Sequence, residues 1–403
     1  MQALVYHRSV PAYLASRALS RWRPHCFFAA VAPLRLRDVP LSVPDGWATL
    51  RVRLCGLCGS DVNLLRGAES YLMEPYASFP AILGHEIVAE VETAPPGSAW
   101  KTGDRVVVDP LLPCETRGLP PCRFCGEGEP NLCEHFTGGR LAAGPVTGYN
   151  RAAGGGMAEC VAAHPRQLIA LPAQVTDDVA VLTDSLASAL QAALDHFPAD
   201  RDTVVVYGAG IIGQHVVRAL RSLGSAARIG DAARHGFQQE LARQGGASVA
   251  LGEAGRAVLA EAVGGRWLPS TLGGGNVEGG ADLFFDCAGT RQSLQEGLVL
   301  LRGRGRYVLV ATVGDIGPVD LSSLWFRQLT LTGSFAYASG SWKGQRQRTY
   351  QRAIALLAGG AYPHQGLLTH TFPLSAYRQA FQAAFDKRRY KSMKVALDLR
   401  NQP

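Results

Sequence analysis

The sequence predicts an α/β chain, a doubly wound parallel sheet joined to a β-rich, barrel-like domain, and three observations predict it. Short β-prone runs separated by turn signals occupy residues 1–175. A glycine-rich turn over 208–213 then opens an alternation of strand and helix runs. At 403 residues the chain exceeds what one hydrophobic core usually organises, so two domains are expected.

In chain order, the first domain carries its strand runs at 50–54, 87–91, 105–108 and 158–162. Residues 179–197 lack proline and glycine and space their apolar residues as a helix does. Strand runs at 203–207, 283–286 and 306–310 alternate with helix-prone stretches, the rhythm of a parallel sheet. Tyr377, Phe381 and Phe385 form a core-facing helix stripe in 376–385, and 393–399 alternates like a strand. These runs place the first domain at 1–178, the cofactor domain at 179–326, and a tail, 327–403, that returns to the first.

Composition narrows the function. Hydrophobic residues at 47% and charged residues at 18% describe an ordinary globular protein. The net charge of +7 is spread along the chain, so nucleic acid is not an expected partner. No apolar run reaches the roughly 20 residues of a membrane span, and the amino terminus lacks signal-peptide order; a cytoplasmic, membrane-free protein is expected. Nine cysteines, an odd count, four of them between 114 and 133, point to metal ligation rather than disulfides.

Gly208-Ala209-Gly210-Ile211-Ile212-Gly213 lies between the apolar run Val204 to Val206 and a helix face of Val216, Val217 and Leu220. This is the Rossmann dinucleotide turn: glycines allow the tight bend and close backbone approach to a pyrophosphate at a helix amino terminus. The acid that holds a ribose 2′-hydroxyl should follow about 20 residues later. Counting back from Gly246-Ala247 puts Ala233 at that position, with Arg234 and His235 next to it. A small residue followed by two cations favours a 2′-phosphate, hence NADP; Asp231 is the feature that would favour NAD.

Cys122 and Cys125 form a C-x2-C pair, with Cys133 after seven intervening residues and Cys114 upstream. Four soft ligands suit a structural zinc. Cys58-Gly59-Ser60-Asp61 and Gly84-His85-Glu86 each set a metal-binding side chain beside a glycine.

With these motifs in this order, the chain resembles the zinc-containing alcohol dehydrogenases of the medium-chain dehydrogenase/reductase superfamily along nearly its whole length. The resemblance implies a GroES-like barrel, a Rossmann domain, an active site in the cleft between them, and a homodimer or homotetramer. It implies that Cys58 and His85 bind a catalytic zinc and that Asp184, at the start of the helix before the Rossmann strand, is the third ligand, although aspartate there is also a good helix cap. Asp61 would orient His85, Glu86 would sit beside the metal and exchange with water, and Ser60 would relay a proton. Cys114, Cys122, Cys125 and Cys133 would hold the second of two zinc ions.

The mechanism implied is hydride transfer between a nicotinamide and a small alcohol or carbonyl compound, with zinc stabilising the alkoxide. Three features depart from the family. Asn63 replaces the histidine that finishes the proton relay in many relatives, Cys114 is separated from Cys122 by seven residues instead of two, and the opening segment is long. Competing readings are a zinc-free enone or quinone reductase, disfavoured by the three ligand candidates, and a zinc-ribbon binding protein, disfavoured by the glycine turn.

Overall fold

The strand Ala48–Gly56 buries Leu50, Val52 and Leu54 while exposing Arg51, the period-two pattern of a sheet with one face on a core. That strand organises a seven-stranded sheet, pairing antiparallel with Glu86–Thr93, Cys160–Ala163 and Lys394–Asp398. Arg105–Val108 and Leu168–Ala170 extend one side, and Leu368–Pro373 runs parallel to Lys394–Asp398 on the other. The closing strand expected from alternation in 393–399 therefore lies beside the first domain's central strand. The computed structural model describes residues 1–20, 22–29, 32–251 and 256–400, so the last three positions of the expected returning tail lie outside it.

Two compact units result, Met1–Asp184 with Gln365–Pro403, and Ser185–His364. In the first, Gln2–Tyr6 pairs with Leu34–Asp38 and Ala81–Ile82. The long opening segment is an excursion between the first two of these strands. Ser9 caps its helix, Val10–Leu19, by accepting from the Ala12 N–H at 3.3 Å. The chain then turns back: the Cys26 thiol donates to the Ser16 carbonyl at 2.8 Å. Phe28 packs against Phe381 and Phe385 with ring centroids 5.8 and 5.5 Å apart, which ties the excursion to the Tyr377–Phe385 helix.

In the second unit Val204, Val205 and Val206 are fully buried in Thr203–Tyr207, the continuous apolar run of a strand covered on both faces. The parallel sheet runs Val249–Ala250, Arg228–Ala232, Thr203–Tyr207, Ala281–Asp286, Leu301–Leu309, Thr330–Gly333. In chain order this is 3-2-1-4-5-6, the Rossmann arrangement.

The chain returns to the first unit at residue 365 and not at 327. Residues 327–364 contain the sixth strand, in register with Arg306 to Leu309, and the helix Thr349–Ala358. That strand is four residues long and mostly exposed, too weak a pattern to separate from a loop. Two hairpins, Gly265–Pro269 with Gly275–Gly279 and Ser339–Trp342 with Gln345–Arg348, also went unanticipated. Among the described residues no helix is long and apolar enough to cross a membrane.

Candidate metal centres and dinucleotide site

Cys58 caps the amino terminus of the helix Gly59–Arg66, which begins where Ala48–Gly56 leaves its sheet. Its backbone N–H donates to Asp61 Oδ2 at 2.9 Å, so the short motif folds onto itself. His85 arrives through Gly84, whose φ is +94°. A Cβ on Gly84 would lie 2.6 Å from Cys55 Sγ and 2.9 Å from the Met157 nitrogen, so glycine is required there. Cys58, His85 and Glu86 consequently present donor atoms that all lie within 4.8 Å of one another.

The surroundings suit a cation. Burial disfavours a charged His85 ring, yet Asp61, Cys58 and Asp184 outweigh it and hold its pKa well above the usual imidazole range. Asp61 is fully buried, with Oδ1 3.9 Å from His85 Nδ1. Neither atom has a hydrogen-bond partner among the described residues. Asp61 thus faces His85 as expected but does not clamp it, while its other oxygen braces the Cys58 turn. Ser60 lies two residues after Cys58 and is half buried.

Glu86 lies in the cluster and is also engaged by a buried cation. Lys394 Nζ donates to both its oxygens, at 2.6 and 2.5 Å, and to the Leu57 carbonyl at 3.4 Å. Both side chains are only 1% exposed. Gly56 packs so closely that a Cβ would meet Glu86 Oε2 at 2.0 Å. The sequence singled out Lys394 only as part of a strand; the pair depends on bringing Lys394–Asp398 beside Ala48–Gly56.

Asp184 is buried in the first turn of Thr183–Asp195 and acts electrostatically on His85. It is not among the donors within 4.8 Å of one another. Glu86 occupies that place in the cluster.

The lobe cysteines form a closed cage. The sulfurs of Cys114, Cys122, Cys125 and Cys133 all lie within 4.8 Å of one another, and none is in a disulfide. Cys114 and Cys133 sulfurs are 3.5 Å apart, close to the spacing about a tetrahedral zinc with bonds of about 2.3 Å. The Cys122 N–H donates to Cys114 Sγ at 3.3 Å and the His135 N–H to Cys133 Sγ at 3.4 Å. Burial works against ionising Cys122, but N–H groups of Glu134 and Cys125 bring its pKa down to about 7. His135 Nδ1, 3.3 Å from Cys114 Sγ, joins the cage's surroundings without having been anticipated.

In the second unit the glycine turn has the expected form. Gly208 has a φ of +102°, Gly210 caps Ile211–Ser222, and a Cβ on Gly213 would meet the Gly208 oxygen at 2.1 Å. Ile211 and Ile212 begin the helix. Beyond the second strand, Ala233 is buried, Arg234 is exposed, and His235 caps the next helix while stacking on Phe237 at 5.9 Å. Asp231 is fully buried and neither carboxylate oxygen has a hydrogen-bond partner among the described residues. Burial pushes its pKa up to about 7 against the opposing pull of Arg218.

A barrel-like unit with a cysteine–histidine–acid cluster and a cysteine lobe, in one chain with a Rossmann unit, defines a two-domain dehydrogenase. Residues 44–173 match the model of the alcohol dehydrogenase GroES-like domain, and residues 212–358 that of the zinc-binding dehydrogenase. The chain belongs to the medium-chain dehydrogenase/reductase superfamily, among its alcohol dehydrogenases. It is 26% identical over 344 residues to the starvation-sensing protein RspB of Escherichia coli K12, covering 84% of this chain and 89% of that one. With L-threonine 3-dehydrogenase of Anaeromyxobacter dehalogenans it shares 28% over 360 residues, 87% of this chain and 90% of that one. The crystal structure of rspB from E. coli CFT073, described as an alcohol dehydrogenase complexed with NADH, superposes with a TM-score of 0.72 at 23% identity, covering 99% of both chains. At that identity the likeness concerns the fold.

Proposed function

We propose that this chain is a zinc-dependent alcohol dehydrogenase or carbonyl reductase, moving hydride between NADP(H), in preference to NAD(H), and a small alcohol, polyol, aldehyde or ketone. The observation that carries the reading is the meeting of Cys58 and His85, brought by separate turns into one cluster with acidic neighbours. Cys58, His85 and Asp184 would hold the ion, with Glu86 as the alternative third ligand. Zinc there supplies a Lewis acid that polarises a carbonyl or lowers an alcohol's pKa. The Ser60 hydroxyl takes the alcohol proton outward, and Asp61 steadies His85 and the Cys58 turn. Lys394 balances Glu86, so that buried carboxylate adds no net charge.

The four lobe thiols suit a second, structural zinc, because a closed set of sulfurs leaves no position for substrate. Gly208, Gly210 and Gly213, with Ile211 and Ile212, receive the pyrophosphate. Arg234 and His235 beside Ala233 favour a 2′-phosphate. Complete burial of Asp231 supports the same preference, since a carboxylate withdrawn from solvent is poorly placed for a ribose. The proposed working form is a cytoplasmic homodimer or homotetramer with small-molecule partners only.

A screen of alcohols and aldehydes with both cofactors, before and after chelation, tests the reading. Turnover should vanish on chelation and return with zinc. Turnover indifferent to chelation would select a zinc-free reductase instead.

A further inference from the structure

We infer that Tyr149 recognises a second hydroxyl on the substrate, next to the one that reacts, so that the site selects vicinal diols over simple alcohols. The inference rests on the dehydrogenase reading above and adds to it a side chain that no motif contains. Tyr149 is 8% exposed, and its ring centroid stands 6.0 Å from that of His85, inclined at 50°. Its hydroxyl faces Ser60 yet forms no hydrogen bond of normal geometry with any group among the described residues. A buried hydroxyl with no partner beside the candidate metal ligands is a polar atom held for something else, since leaving one unmatched destabilises a fold.

The position is built. Gly148, with φ of +92°, abuts Gly84: a Cβ on Gly148 would lie 3.0 Å from both the nitrogen and the oxygen of Gly84. The two residues that precede Tyr149 and His85 thus touch backbone to backbone. The Gly156 N–H donates to the Gly84 carbonyl at 2.9 Å, and the Gly148 N–H to the Gly154 carbonyl at 2.7 Å. Ser78 donates its N–H to the Tyr149 carbonyl at 3.1 Å, closing the loop from the other side. Tyr149 therefore has little freedom to seek a partner within the protein. A substrate hydroxyl one carbon from the reacting oxygen satisfies it, whereas a monoalcohol leaves it buried and unpaired. Sites built to bond a hydroxyl reject analogues lacking it for this reason.

The test compares 2,3-butanediol with 2-butanol in the zinc-loaded wild type and in Tyr149→Phe, which keeps the ring. The ratio of kcat/KM for diol over monoalcohol should fall about tenfold, mostly through KM for the diol, the size expected for one hydrogen bond. A purely structural role would move both substrates together and leave the ratio within twofold, which overturns the inference. Thermal protection of the zinc-loaded proteins by the two alcohols provides a readout independent of turnover. Stronger protection by the diol should be present in wild type and lost in Tyr149→Phe; equal protection in both proteins also overturns the role of Tyr149. If wild type oxidises neither alcohol with either cofactor, the dehydrogenase reading falls while protection still decides whether Tyr149 binds diols.

Discussion

The two candidate metal centres differ in how far their ligands travel. In the lobe, four thiols within the stretch 114–133 meet through local turns, and the backbone N–H groups of Cys122 and His135 point at the sulfurs. In the other cluster, Cys58 comes from a helix cap and His85 from a glycine turn, while Glu86 is balanced by Lys394 from the far end of the chain. A closed local cage of one donor type can hold structure. A mixed, open cluster assembled over long range can do chemistry, but it needs the whole first unit to form.

The sharpest way to break this contrast is to remove one ligand from each centre. Cys58→Ser should lower kcat by at least about 10³-fold, since a Lewis acid is worth several kcal/mol. Its melting temperature should stay near that of wild type. Cys125→Ser should do the reverse, losing one zinc per chain by elemental analysis and melting several degrees lower. If both variants lose the same metal and the same activity, the division into two centres is wrong.

Long-range assembly is probed next by Lys394→Met, which leaves Glu86 charged, buried and alone. We expect a loss of about 3–5 kcal/mol in denaturant unfolding, and partial recovery when Glu86→Gln is added. Little loss in the single variant would mean that water reaches Glu86.

Asp184→Asn separates ligand from cap, because asparagine preserves size and capping but not the anion. Zinc retention and turnover should fall, with unfolding stability changed by less than about 1 kcal/mol. If both persist, Glu86 completes the cluster, as the proximity of its donor atom to those of Cys58 and His85 suggests.

The cofactor unit offers the same contrast at smaller scale. Asp231 is raised from about 3.8 in the unfolded chain to about 7 when folded. An acid with a raised folded pKa favours folding while protonated, so its contribution is complete below the unfolded pKa and is lost as pH rises towards 7. Asp231→Asn should therefore match wild type in stability near pH 4 and exceed it by a few kcal/mol at pH 8, as read from urea unfolding at both pH values. Equal stabilities at both would show the carboxylate to be solvated or paired. Arg234→Ala, on the exposed rim, should shift the ratio of kcat/KM for NADP over NAD towards NAD by about tenfold.

Much of this molecule was legible from contiguous residues. The turn at Gly208 to Gly213, the glycines beside Cys58 and His85 and the thiol spacing of the lobe each encode a local geometry through φ angles and short-range donors. The strand 393–399 was legible as well, because alternation survives in a single segment. The extent of the parallel sheet was not. Its sixth strand, Thr330–Gly333, is recognisable only by its pairing with Leu301–Leu309.

By itself the sequence determined the two-domain α/β class, the glycine turn of the second unit and the spacing of the lobe thiols, since backbone conformation over a few residues is set by those residues. Tertiary structure alone decided that Glu86 is held by Lys394 through both oxygens, that Asp231 is sealed from solvent, and that Tyr149 reaches His85 across the Gly84–Gly148 contact. Each of these depends on the register of segments distant in the chain. A one-residue slip in a strand turns every side chain to the opposite face, and no local pattern records which partner will then stand across from it.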